Sequence, residues 1–296
     1  MVQKHMKYLM MNADDFGMCH AANEATIGLL EDDLITSATL MAPCPWFVEA
    51  VTYARQHSEK CIGLHLTLTS EWEQYRWGPL TRNTSLMVDG YFPRTSLEVE
   101  QNAFLSEVEE ELRAQLALAN AYGLTPSHLD NHMASLYGFH GLQSFLPLAF
   151  QLCGELKVPF RFPKEIVSGD AVTNALPQET VDKIPSLVAL ATSLGVALPD
   201  AIVSYPFETL PGETYESFRD DVCRRLETLP NGISELVLHP AFESAEIMAI
   251  NPHWQKRVWE ERLCRDVKFI ETIERAGLKR ITWHDLPALK VTQNDH

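Results

Sequence analysis

Two adjacent carboxylates, Asp14 and Asp15, follow an apolar run near the start of the chain. Successive side chains of a regular strand point to opposite faces. At the frayed end of a strand, however, one carboxylate can bind a cation while the other faces a substrate; a solvated turn is the alternative reading of the same dipeptide. His65 stands inside the apolar segment 62–68, either as a ligand or as a core imidazole bonded to backbone. His128, Asp130 and His132 recur at i, i+2 and i+4, which on a strand or its extension puts all three on one face. An Asp with two imidazoles is a recurrent divalent-metal set that leaves positions open for water and substrate. Arg161 sits between aromatics in Pro159-Phe160-Arg161-Phe162-Pro163, where it can orient a catalytic carboxylate, clamp a substrate or close a structural ion pair. His239 ends the run Glu235-Leu236-Val237-Leu238-His239-Pro240. Pro240 cannot donate to a ladder and helps stop a strand there, and an imidazole with an ordinary pKa of about 6.5 suits proton donation near neutrality.

These residues do chemistry together only if the chain brings them to one place. Strand-like runs are expected at 8–12, 36–41, 62–68, 127–129, 160–162, 201–204, 235–238 and 280–283. Helix-like stretches lie between them at 20–32, 45–57, 98–122, 141–157, 178–195, 214–229 and 254–276. The clearest is 98–122, where Phe104, Leu105, Val108, Leu112, Leu116 and Ala119 recur at three and four. Strand and helix alternating about eight times predict an α/β fold with a parallel sheet, closed as a (β/α) barrel, with an open doubly wound sheet as the alternative. In a barrel the C-terminal strand ends form one mouth, and Asp14, Asp15, His65, His128, Asp130, His132 and His239 all fall at or near such ends, with Arg161 in the fifth strand. His239 would then lie across the mouth from the third strand. The connection 69–96 has no period and carries Trp72, Tyr75, Trp77, Tyr91 and Phe92. Connections of that length are usually lids or binding loops. Trp72 and Trp77 could offer flat apolar faces to a ligand. Residues 1–296 read as one domain.

Composition excludes several classes of partner. Lys+Arg 24 against Asp+Glu 40 gives a net charge of −16, the wrong sign for a nucleic-acid footprint or for docking on an anionic membrane. No apolar run approaches the ~18 residues that span a bilayer, and the first residues do not read as a secretory signal. The six cysteines (Cys19, Cys44, Cys61, Cys153, Cys223, Cys264) form no paired motif. They read as reduced thiols, so a cytoplasmic location is expected.

The segments NADDFG, ITSATLMAP, GLHLTLT, SLMVDGYFP, SHLDNHM, FRFP and ELVLHPA occur here in one order that resembles the YdjC family of carbohydrate deacetylases. That family includes chitooligosaccharide deacetylases and hopanoid-biosynthesis-associated deacetylases. The resemblance runs from Tyr8 to about Leu286. It implies a distorted (β/α) TIM-like barrel related to polysaccharide deacetylases, one divalent metal, usually magnesium, and hydrolysis of an N-acetyl group on an amino sugar or short oligosaccharide. It further implies Asp15, His65 and His128 as metal ligands, Asp14 as general base and His239 as general acid. Arg161 would assist Asp14, with Asp130 orienting an imidazole and His132 nearby. On ligand preference, two imidazoles and one carboxylate suit zinc better than magnesium. The chain departs from the family pattern after His132: Met133-Ala134-Ser135-Leu136 lacks the later histidines that many members carry. A metal-dependent phosphoester hydrolase, which would want a second ion, and an inactive sugar-binding protein are the rival readings. A homodimer is left open.

Overall fold

In the computed structural model, which describes residues 6–82, 84–167, 170 and 176–289, seven parallel strands alternate with helices. The strands are β1 (Lys7–Phe16), β2 (Ser37–Leu40), β3 (Ile62–Leu66), β4 (Leu129–Asn131), β5 (Ala201–Val203), β6 (Gly232–Leu238) and β7 (Leu278–Arg280). Their order is β4-β3-β2-β1-β6-β5, with β7 paired to the start of β1. The helices are α1 (His20–Glu31), α2 (Phe47–Gln56), α3 (Ser96–Asn102), α4 (Leu105–Ala121), α5 (Leu146–Leu156), α6 (Gln178–Ser193), α7 (Tyr215–Glu227), α8 (Ala245–Ile250), α9 (Trp254–Arg265) and α10 (Val267–Arg275). This is the expected α/β fold, a curled parallel sheet forming a distorted barrel.

Side-chain alternation sorts each strand into two faces. On β1, Leu9, Met11 and Ala13 join the large core under the helices, while Tyr8 and Met10 join a smaller cluster with Cys61, Ile233, Ile281, Trp283 and Leu286. That second cluster fills the lower interior of the curled sheet. Above it the same inward face turns polar: Asn12 and Asp14 on β1, Thr39 on β2, His65 on β3, Asp130 on β4 and Glu235 on β6 are all buried. The fold thus plugs one end of the barrel with apolar groups and leaves the C-terminal end for chemistry.

The structure departs from the sequence reading in several places: the strand expected at 280–283 falls earlier, as β7, and α8 was not expected. The run 160–162 is no strand; only Phe160 makes an isolated bridge, to Leu129. Pro159 and Pro163 flank it and cannot donate to a ladder. The segment still links β4 to the chain entering β5, through Arg161 N–H to the Leu129 carbonyl (3.0 Å) and Phe160 N–H to the Ala197 carbonyl (3.1 Å). The expected helix 98–122 breaks at Ala103 and Phe104, where the Phe104 N–H bonds Ser85 Oγ (3.0 Å) and leaves Phe104 and Leu105 exposed. The expected helix 254–276 breaks at Asp266, whose carboxylate caps α10 by accepting the Lys268 N–H (2.9 Å). Among the described residues, no helix is long and apolar enough to cross a membrane.

Candidate active site

The paired carboxylates owe their placement to one irregularity. β1 and β2 pair in register at Ala13 and Ala38 and again at Phe16 and Leu40, so three steps on one strand face two on the other. The extra residue is a β-bulge, and Asp15 takes a left-handed backbone (φ 60°) there. Regular alternation would turn Asp14 and Asp15 to opposite faces; the bulge lets both line the same cavity.

Asp14 is held by Arg161. Nη1 donates to Asp14 Oδ2 (2.6 Å) and Nη2 to Oδ1 (2.7 Å), a two-point clamp. The same guanidinium meets Asp130 Oδ2 (2.9 Å) and Glu235 Oε1 (2.7 Å). Burial alone would raise the Asp14 carboxyl, but Arg161 and His65 overcome it and hold the group well below the ordinary carboxylate range. Three carboxylates share this one guanidinium, and the imbalance falls on Glu235, which burial pushes up to about 7 against the pull of Arg161.

Asp15 anchors a second constellation. Its Oδ2 accepts from Arg257 Nη2 (2.6 Å). Its Oδ1 is buried without a hydrogen-bond partner, 3.1 Å from His132 Nδ1 and 3.5 Å from His65 Nε2. One carboxylate oxygen and two imidazole nitrogens facing each other is a donor set for a divalent cation, and Asp15, His65 and His132 together form such a buried group. Each imidazole is steadied from behind: His65 Nδ1 lies 2.7 Å from Asp130 Oδ1, and His132 Nε2 lies 2.9 Å from Glu71 Oε2. A carboxylate on the far nitrogen is how proteins orient metal-binding histidines. Burial lowers the His132 pKa, but the facing carboxylates of Glu71 and Asp15 outweigh it and raise it, so a cation held there would displace the Nδ1 proton. Asp14, His65 and Asp130 form another grouping, but the Arg161 guanidinium already bridges its two carboxylates.

A cavity of about 860 Å³ opens over these groups. Its wall includes Trp72, Tyr137, Phe139, Phe207 and His239. The His239 imidazole is 16% exposed. Its Nδ1 has no hydrogen-bond partner and lies 3.9 Å from Glu260 Oε1, while its backbone N–H bonds Glu260 Oε2 (2.7 Å). Burial lowers the His239 pKa, but Glu260 and Asp15 outweigh it and the pKa ends above its ordinary value.

The family model described as YdjC-like protein matches residues 8–275. The chain belongs to the YdjC-like family. A relative from Brevibacillus brevis, named carbohydrate deacetylase, is 33% identical over 94% of this chain and 99% of its own length. Another of the same name, from Geobacillus stearothermophilus, is 27% identical over 94% and 98%. Among solved structures, a protein of Enterococcus faecalis V583 described as a candidate cellobiose-phosphate cleavage protein superposes with a TM-score of 0.74 at 25% identity. That match covers 95% of this chain and 99% of the other.

Within this YdjC-like chain, the barrel mouth brings together Asp14, Asp15, His65, Asp130, His132, Arg161 and His239, but not every residue marked from sequence. His128 is the first correction. It does face inward, as the alternation required, yet facing one side is not reaching one place. At ~3.3 Å per residue it lies roughly 6.6 Å below Asp130 along the strand. There it stacks on Trp283 (centroids 4.3 Å, planes 9° apart), with Nδ1 2.9 Å from Ser127 Oγ. Burial holds its pKa well below the ordinary imidazole value, and its Nε2 is buried without a hydrogen-bond partner, outside the Asp15–His65–His132 group. Trp77 is the second correction. Its indole N–H donates to the Thr69 carbonyl (2.8 Å), it is buried, and its ring packs 5.9 Å from that of His132 instead of lining the cavity. Trp72 does line the cavity.

Four residues escaped the sequence reading. Glu235 announced itself only as a carboxylate inside an apolar strand. Arg257 and Glu260 stand at i and i+3 on α9, a spacing indistinguishable from a solvated helix face. Glu71 sits in a loop with no period to read.

Proposed function

We propose that this protein is a metal-dependent carbohydrate deacetylase that hydrolyses the N-acetyl group of an amino sugar or short oligosaccharide. The observation that carries the reading is Asp15 Oδ1, buried without a hydrogen bond between two imidazole nitrogens, at the floor of a cavity walled by aromatic rings. Asp15, His65 and His132 would hold one divalent ion. Such an ion lowers the pKa of bound water and polarises a carbonyl oxygen. Asp14 would accept the proton of the attacking water, held in position by Arg161. Because Arg161 keeps that carboxylate strongly acidic, Asp14 would be a weak base on its own, and the lowered water pKa that an ion supplies would be needed for the transfer. His239, on the cavity wall at the end of β6 and near Glu260, would hold the proton for the departing amine. The relatives named carbohydrate deacetylase support the substrate class.

The donor set suits zinc, whereas the family resemblance implies magnesium, so both belong in the assay. The phosphoester alternative needs a second ion, and Arg161 already bridges the second carboxylate grouping. The six buried, unpaired cysteines support a reducing compartment. The test is acetate release from N-acetylglucosamine oligomers by chelator-treated protein with Zn²⁺ or Mg²⁺ restored. Metal-dependent acetate release that Asp15→Asn abolishes is expected. Hydrolysis of a phosphodiester to its monoester and alcohol, without acetate release, would overturn the reading.

A further inference from the structure

The loop between β3 and α3 has its own frame. Ser70 N–H bonds the Pro93 carbonyl (2.8 Å), and Glu111 accepts from the N–H groups of Leu80 (3.1 Å) and Thr81 (2.9 Å). Against that frame, two adjacent residues reach into the centre. Glu71 Oε2 is 2.9 Å from His132 Nε2, and His132 Nδ1 is 3.1 Å from Asp15 Oδ1. The Trp72 ring lies 6.0 Å from the Arg257 guanidinium, which bonds Asp15 Oδ2 at 2.6 Å. Neighbouring loop residues therefore reach the two oxygens of one carboxylate by two separate routes. Both residues also line the cavity, with Glu73 and Gln74 beside them.

We propose that Glu71 and Trp72 couple the metal centre to the substrate-facing loop, with Glu71 as a positioning residue for His132. The inference rests on the metal reading above and extends it. When His132 offers Nδ1 to a cation, its proton resides on Nε2 and is donated to Glu71, which fixes both tautomer and ring tilt. The cation thereby fixes Glu71, and Glu71 fixes the stretch of loop that meets the sugar. Linkage makes this reciprocal: whatever factor the metal adds to sugar affinity, the sugar adds to metal affinity. Metal loading is thus part of how the sugar site is shaped.

The test needs no turnover. Zn²⁺, and separately Mg²⁺, is titrated calorimetrically into chelator-treated full-length protein, Glu71→Gln, Glu71→Ala and Asp15→Asn. Hydrogen exchange of residues 70–78 is followed with and without metal. The expected result is a loss of metal affinity of roughly 10–100-fold in both Glu71 variants, the usual worth of such an orienting partner. Metal should slow exchange across 70–78 in the wild type and fail to do so in the Glu71 variants. Unchanged metal affinity in both variants overturns the coupling while leaving the metal reading intact, provided Asp15→Asn abolishes binding. Loss of protection that is the same with and without metal marks Glu71 as a purely structural tie and overturns it too. A wild type that binds neither ion defeats both readings together.

Discussion

At the scale of single residues, the site is a problem of shared charge. Arg161 serves Asp14, Asp130 and Glu235 at once, so one carboxylate must hold its charge least well, and that is Glu235. Its pKa rises from 4.5 to about 7. Between those values the folded chain keeps a proton that the unfolded chain has lost, so this group makes stability fall as pH rises through that window. Replacing Glu235 with Gln should flatten this part of the stability–pH curve, by on the order of 3 kcal/mol across the window. Denaturant titrations of both proteins at pH 4.5, 6 and 8 check it; parallel curves would place the proton elsewhere. His239 carries the other residue-level prediction. His239→Ala should keep its metal and its fold while kcat falls roughly 10²–10⁴-fold, the usual worth of general acid–base catalysis. An unchanged kcat in a metal-loaded variant would return His239 to a rim role.

At the scale of elements, strand register and depth decide which side chains meet. The bulge after Ala13 turns both aspartates into the mouth, and nothing in the letters Asp-Asp distinguishes a bulge from a regular strand end. The sequence pattern did carry the placement of Asp14, Asp15 and His65, because each interrupts or ends an apolar run. It could not carry depth: His128, Asp130 and His132 share a face, and only the three-dimensional register shows that His128 lies in the packed layer beneath. The breaks at Phe104 and Asp266 mark the same limit. The first depends on a tertiary bond to Ser85 that no local pattern encodes; the second is a capping Asp that could have been noticed. Packing below the site makes β3 sensitive in a way the sequence hides. A Cβ on Gly63 would sit 2.6 Å from His128 Cε1 and 2.7 Å from its carbonyl oxygen. Gly63→Ala should therefore force β3 and β4 apart and cost about 1–3 kcal/mol, the usual range for overpacking. It should also disturb the His65–Asp130 pair two residues further up. A melting temperature within 1 °C or so of the wild type would contradict that tight approach.

At the scale of the whole molecule, the barrel gathers chemistry from separated parts of the chain: Asp15 near the start, His65 and His132 in the middle, Arg257 on α9. The alternation of strands and helices made that convergence legible, and the strand-end positions pointed to the mouth. The contribution of α9 was hidden, since Arg257 and Glu260 are ordinary helix-surface residue types until the helix is laid across the mouth. The loop carrying Glu71 was legible as a functional loop but not as a partner of the metal centre. The central claim is that Asp15, His65 and His132, with no part for His128, hold one divalent ion beneath a sugar-binding cavity. The most direct test is calorimetric metal titration of chelator-treated wild type, His132→Ala and His128→Ala, each confirmed as folded at the temperature used. One ion per chain is expected in the wild type and in His128→Ala, with affinity weakened at least ~100-fold in His132→Ala, a loss of roughly 2.7 kcal/mol or more. Metal binding lost in His128→Ala and retained in His132→Ala would contradict the claim.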